Sequence, residues 1–132
     1  MSADDLSRHP LHLGLGATVV KQPEFTGAMD WYEAYGQRHD ADGAEGRLVS
    51  QHRFDASWAM WEMHPQGSEV VVCVAGAMKM LQQQPDGSVL TTALTAGQHV
   101  VNAPGVWHTA DVADTATALF ITAGLGTQHR PR

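Results

Sequence analysis

From Arg47 to Ala123 the chain is written in short apolar runs, broken about every eight to twelve residues by turn-forming residues. The runs cover residues 47–54, 57–64, 69–75, 77–84, 88–94, 98–102, 106–112 and 116–123. Breaks fall at Phe54-Asp55-Ala56, Pro65-Gln66-Gly67, Gly76, Pro85-Asp86-Gly87, Ala96-Gly97, Pro104-Gly105 and Asp114. Pro-Asp-Gly between two such runs has a mechanism: proline presets φ and glycine accepts the positive φ that closes the turn. About eight short strands without long helices predict an all-β sandwich or closed barrel. Upstream, Met29, Trp31, Tyr32 and Tyr35 recur at helical spacing and predict one short helix over 26–37, with Thr26 as its cap. The first twenty or so residues are weakly patterned and read as an arm over the domain. The expected organisation is an arm with a short helix over 1–46, a barrel over 47–124 and a tail over 125–132.

Several strands are apolar on both faces. In residues 58–64, Trp58 and Met60 point to one side and Trp61 and Met63 to the other. Val70, Val72 and Val74 likewise stand opposite Val71 and Cys73. A sheet with one solvated face alternates cleanly, so the outside of this barrel is expected to be covered, by a homodimer partner or by the N-terminal arm.

Composition narrows the classes of partner. With 132 residues the chain fits one domain, large enough for a core without disulfides. Charged residues are only 17% of the chain, below the roughly 25% of an average soluble domain, which again points to a covered surface. A net charge of −6 argues against nucleic acid, which calls for a basic footprint. The only basic cluster is His129-Arg130-Pro131-Arg132. One cysteine, Cys73, excludes an internal disulfide and suits a reducing compartment. No run approaches eighteen apolar residues and no basic, apolar leader opens the chain, so no membrane partner and a cytoplasmic location are expected.

Chemistry concentrates in two short stretches. Glu62 and His64, at i and i+2, project to one side of a strand, and Glu69 follows a Pro-Gly turn that brings it back across the hairpin. An imidazole and two carboxylates in an apolar setting are costly, because buried ions lose solvation and like charges repel. A divalent cation removes both penalties. His108, after the turn at Pro104-Gly105, supplies a fourth donor. Each residue also has a plainer reading: His64 alone would serve as a core histidine, and Glu62 as a surface acid. Cys73 reads as a small buried apolar residue, and Met60, Met78, Met80, Trp58 and Phe120 as barrel filling. His9, His12, His39, His52, His99 and His129 carry no spacing signal, although His52 and His99 lie in predicted strands.

The segment Ala56, Glu62-Met63-His64, Glu69, Gly76 resembles the first motif of the cupin superfamily, and Gly97, Ala103-Pro104-Gly105, His108, Val112 resembles its second. The resemblance implies a double-stranded β-helix, or jelly-roll, barrel holding one divalent metal with Glu62, His64, Glu69 and His108. His64, Glu69 and His108 match residue for residue. Glu62 stands where the family usually has a histidine, while Ala56, Ala103 and Val112 replace a glycine, a proline and an asparagine. A donor set of two imidazoles and two carboxylates suits Fe, Mn, Ni or Zn and leaves coordination positions open. The expected function is therefore a metal-dependent enzyme of isomerase, lyase or dioxygenase type acting on a small polar molecule. The alternative is a non-catalytic cupin that binds or senses a small ligand. No general acid or base stands out in the sequence beyond the metal ligands, of which Glu62 is the candidate for a catalytic role.

Overall fold

The apolar runs fold as strands, and a computed structural model describing residues 2–132 adds three further strands outside them. The elements are β1 (Leu11–Leu13), β2 (Val19–Lys21), α1 (Met29–His39), β3 (Arg47–Phe54), β4 (Met60–Met63), β5 (Glu69–Gln83), β6 (Val89–Thr95), β7 (His99–Asn102), β8 (His108–Asp111), β9 (Ala116–Thr122) and β10 (Gln128–Pro131). All pairings are antiparallel. One sheet runs β2-β1-β3-β9-β5-β7 and the other β10-β4-β8-β5-β6, with β5 shared. The result is the expected jelly-roll barrel with one short helix.

The shared strand corrects the sequence reading. Gly76 reads as a break between two strands, yet β5 runs through it for 15 residues. The register slips between Cys73 and Ala75, a bulge, and Gly76 takes φ +73°. A bulge beside a positive-φ glycine bends a strand without ending it, which lets β5 leave one sheet and enter the other. A side chain at Gly76 would also collide with the Thr115 carbonyl oxygen.

The barrel interior packs Val71, Cys73, Met78, Met80, Leu94, Ala110, Ala118 and Phe120, with Phe54 and Trp58 against them. Cys73 is fully buried and burial pushes its thiol up, as suits an inert core residue. On the opposite face of the first sheet one register row crosses six strands: Lys21, Leu11, Val49, Ile121, Val70 and Val101. Directly paired residues share a face, so five aliphatic side chains line up on the outside, and Val101 is 52% exposed. β1 and β2 lengthen this sheet at its β3 edge rather than covering its face.

Two smaller corrections concern the ends. α1 begins at Met29 with Ala28 as its N-cap and no side-chain cap bond; the Thr26 hydroxyl instead accepts the Ala28 N–H at 3.3 Å. Residues 128–131, read as part of a tail, form β10 against β4. Nothing in the apolar pattern marks that strand, because its sequence Gln-His-Arg-Pro is polar. Trp31 anchors α1: it is buried, and its indole N–H donates to the Pro23 carbonyl at 3.2 Å. Among the described residues no helix is long and apolar enough to cross a membrane.

Candidate metal centre

The four predicted residues come together, although β4 and β5, expected to return on each other as a hairpin, pair with other strands instead. Glu62 on β4 lies directly opposite His108, the first residue of β8. His64 follows the end of β4 by one residue, and Glu69 opens β5 between Asn102 of β7 and Thr122 of β9. His64, Glu69 and His108 are each buried, at 3%, 3% and 0% exposure. The Glu69 carboxylate straddles the two rings, with Oε2 3.1 Å from His64 Nε2 and Oε1 3.2 Å from His108 Nε2. Glu62 Oε1 stands 3.6 Å from His64 Nε2. One donor atom each from Glu62, His64 and His108 lie within 4.8 Å of one another.

The surroundings fix how these groups point. Asn102 donates its side-chain N–H to Glu69 Oε1 at 3.1 Å, and Thr122 donates its hydroxyl to Oε2 at 2.7 Å. Both come from the same register row as Glu69, so the carboxylate is held by its own strand neighbours. His108 donates Nδ1–H to the Val106 carbonyl at 3.0 Å. The Thr127 hydroxyl donates to Gly124 O at 2.8 Å and therefore accepts from His64 Nδ1–H at 2.7 Å. With Nδ1 carrying the proton on both rings, both Nε2 atoms present bare lone pairs.

Those two Nε2 atoms are buried without a hydrogen-bond partner, close to Glu69 but not aligned with its oxygens. Lone pairs facing a carboxylate at this distance repel unless a proton or a metal cation stands between them. A cation is thus what the cluster calls for, and its spacing fits a metal. Two donors about 2.1 Å from a first-row ion lie about 3.0 Å apart at a right angle and about 3.4 Å at the tetrahedral angle. Electrostatics agree. Burial pushes the Glu69 carboxyl up, but the His108 and His64 imidazoles outweigh it and hold the group well below the carboxylate range. Burial lowers His108, and Glu69 overrides that and raises it.

A cavity of about 630 Å³ opens over the cluster, in the usual range for small-molecule sites. Glu62, His64 and Glu69 reach it, whereas His108 stands behind them. Phe54, Trp58 and Phe120 form an apolar wall, and α1 contributes Tyr32 and Tyr35 to the lining. His52 lines the cavity, while His99 does not. Three residues that carried no signal in the sequence also belong here: His12, His39 and His129. His129 Nε2 lies 3.7 Å from Glu62 Oε1 because β10 sets it opposite Glu62, and that carboxylate raises its pKa against the effect of burial. Only the β10–β4 register could have found it. Tyr32 is pushed up to about 12 by burial and then by Glu62, so it is a neutral phenol beside the site.

No family profile matches the sequence. No curated protein matches it either. Solved structures match the fold. An oxalate oxidase superposes with a TM-score of 0.54 at 13% identity over 61% of this chain and 44% of that one. A hydroquinone 1,2-dioxygenase in complex with Cd²⁺ and 4-hydroxybenzonitrile superposes with a TM-score of 0.50 at 13% identity, over 58% of this chain and 56% of that one. A cupin-2 domain protein from Shewanella frigidimarina scores 0.49 at 17% identity, over 65% of this chain and 71% of that one. The chain spans less than half the length of the oxalate oxidase it matches. At these identities the likeness is one of fold.

Proposed function

The chain has the cupin fold, and from that premise we propose that it is a divalent-metal enzyme acting on a small polar molecule. Glu62, His64, Glu69 and His108 hold one transition-metal ion, of Fe, Mn, Ni or Zn type, at the floor of the cavity. The observation that carries this reading is the pair of buried, partnerless Nε2 atoms converging with two carboxylates at 3.1 to 3.6 Å. Bound there, the ion supplies a Lewis acid that polarises a substrate oxygen.

The chain's own residues divide the remaining work. Asn102 and Thr122 keep both Glu69 oxygens aimed at the centre, and Thr127 and the Val106 carbonyl fix the two imidazoles. Phe54, Trp58 and Phe120 exclude water and accept the apolar part of a ligand. Among the described residues neither Arg nor Lys lines the cavity, while Glu33, Asp40, Glu62 and Glu69 do. That charge balance favours an uncharged polar substrate over a phosphorylated one. Glu62 is 27% exposed on its side chain and its carboxylate pairs only with histidines among the described residues, which makes it the most easily released donor. The aliphatic row on the outer face supports a homodimer as the working unit.

Metal content by elemental mass spectrometry on untagged protein tests the centre. The wild type is expected to hold about one equivalent of a transition metal. His64→Ala, which removes one of two buried nitrogens, should drop it at least about tenfold, the lower end of what losing even a supporting partner costs. Glu62→Ala should retain most of it. A wild-type protein that stays metal-free after reconstitution overturns the reading.

A further inference from the structure

The cavity has a second polar cluster that the metal reading does not use. His12 on β1 is 2% exposed, and both of its ring nitrogens are engaged. Nε2 lies 2.7 Å from Asp42 Oδ2, and Nδ1 lies 2.6 Å from the Tyr35 hydroxyl. An ionised carboxylate only accepts, so Nε2 carries the proton and Nδ1 offers a lone pair, which accepts the Tyr35 O–H. The direction is single along the chain of bonds: Tyr35 O–H to His12, and His12 N–H to Asp42. This is the polarity of a nucleophile–base–carboxylate triad, with a phenol in the first position.

The packing around the dyad is close. A side-chain carbon at Gly46 would lie 3.0 Å from His12 Cε1 and 3.0 Å from Asp42 Cβ. One at Gly14 would lie 3.2 Å from Asp42 Oδ2 and 3.5 Å from His12 Cδ2. His39 stacks on the His12 ring at 3.8 Å between centroids. Burial, then His12 and Arg38, holds His39 below its ordinary value. Arg38 is turned away to Gln22 Oε1 at 2.8 Å. Asp40 adds a second carboxylate near Tyr35. His12 and Tyr35 both line the cavity onto which Glu62, His64 and Glu69 open. His12, His39 and Asp42 each bring one donor atom within 4.8 Å of the others, so metal binding is the competing use of this cluster.

We propose that Tyr35, backed by His12 and Asp42, is the general acid–base of this cavity. The assignment of a substrate to that cavity rests on the metal-enzyme reading; the relay itself does not. In the forward step a substrate O–H, or a C–H beside a carbonyl, gives its proton to Tyr35 Oη. The phenol's own proton passes to His12 Nδ1, and the imidazolium is balanced by the Asp42 carboxylate. The reverse transfer returns the proton to product, with no net change in electrons. Tyr35 is the catalytic residue, and His12 and Asp42 position and activate it.

The chain carries two tyrosines, Tyr32 and Tyr35, and both line this cavity. Tyr32, 40% exposed, is the more accessible, which gives the test an internal control that needs neither metal nor substrate. Metal-free protein is treated with benzenesulfonyl fluoride, and each tyrosine is followed by peptide mass spectrometry. At a reacting tyrosine the S–O bond forms, the S–F bond breaks, fluoride leaves and the phenol proton goes to the adjacent base. Tyr35 should react at least about tenfold faster than Tyr32, a low bound for general-base assistance. Both His12→Gln and Asp42→Asn should bring Tyr35 down to the Tyr32 rate and leave Tyr32 unchanged. Faster labelling of Tyr32, or a Tyr35 rate indifferent to both substitutions, overturns the relay. Nitrogen-15 NMR on wild type reads the same point without a variant: a His12 found with its proton on Nδ1 overturns it. So does a second equivalent of bound metal that is lost in His12→Gln, whereas loss in His64→Ala alone bears only on the metal centre.

Discussion

Among single residues, His52 shows how burial writes a pH dependence into this fold. Its ring packs against Phe25, Phe54 and Phe120 at centroid distances of 4.8, 6.4 and 5.9 Å. Burial lowers its pKa, and the nearby Glu62 only partly offsets that. The unfolded chain takes a proton at this residue near its ordinary value of about 6.5, while the native state does so only at lower pH. Between those two values the unfolded state binds more protons, so stability falls as pH drops through the window and is flat above it. His52→Phe removes this one contribution and suits the aromatic surroundings. In urea unfolding of metal-free protein, the wild type should lose more stability than His52→Phe between pH 7.5 and 5.5. Parallel losses would mean that His52 is not held neutral. At this scale the sequence was most legible where a short turn does the positioning. Glu62, His64 and Glu69 converge because a strand end, one tight turn and a strand start fix their relative places. Asn102 and Thr122, which hold Glu69, carry no such mark: an asparagine and a threonine gain that role only as neighbours in a register row.

At the level of elements, β5 carries the greatest structural demand. It belongs to both sheets, and its passage depends on the bulge after Cys73 and on the backbone of Gly76. Gly76→Ala would combine an unfavourable positive φ with a collision against Thr115 backbone, which cannot yield as a side-chain tip can. We expect a loss of about 3 kcal/mol, the upper end for a single strained position, measured as a lowered urea midpoint with an unchanged slope. Gly87→Ala makes the comparison, since it shares a positive φ but has open space around its added carbon. A similar cost at both sites would mean that the collision contributes nothing. Gly76 was visible in the sequence as punctuation, but whether a glycine ends a strand or bends it depends on which partners continue the ladder. α1 was legible from its aromatic spacing, whereas its place on the cavity lining was not.

For the whole molecule, the covered outer face remains the largest unmet expectation of the apolar pattern. The N-terminal strands extend the sheet sideways; along the row Leu11, Val49, Ile121, Val70 and Val101, Val49 is already buried in the single chain while Val101 is exposed. A flat aliphatic face of this kind suits a self-complementary contact about a two-fold axis. Sedimentation equilibrium at micromolar concentration should return the mass of two 14.2 kDa chains. Val101→Lys places a charge on the exposed end of the row, 52% accessible in the single chain, and should shift the protein to monomer without unfolding it. A wild-type monomer, or a Val101→Lys dimer as tight as wild type, would assign the row no such role.

The sequence by itself determined the strand runs of the barrel and named the candidate donor residues at its floor. Strand alternation, turn residues and the His64-to-Glu69 interval are local quantities, set within a few residues of chain by pleat geometry and φ preferences. Only the tertiary structure decided what stands around that floor. His129 meets Glu62 through the β10–β4 register. His12 reaches Tyr35 across 23 residues and Asp42 across 30. Such pairings depend on which strand edges and helix faces come together in space, and a long-range contact leaves no periodicity in the chain that makes it.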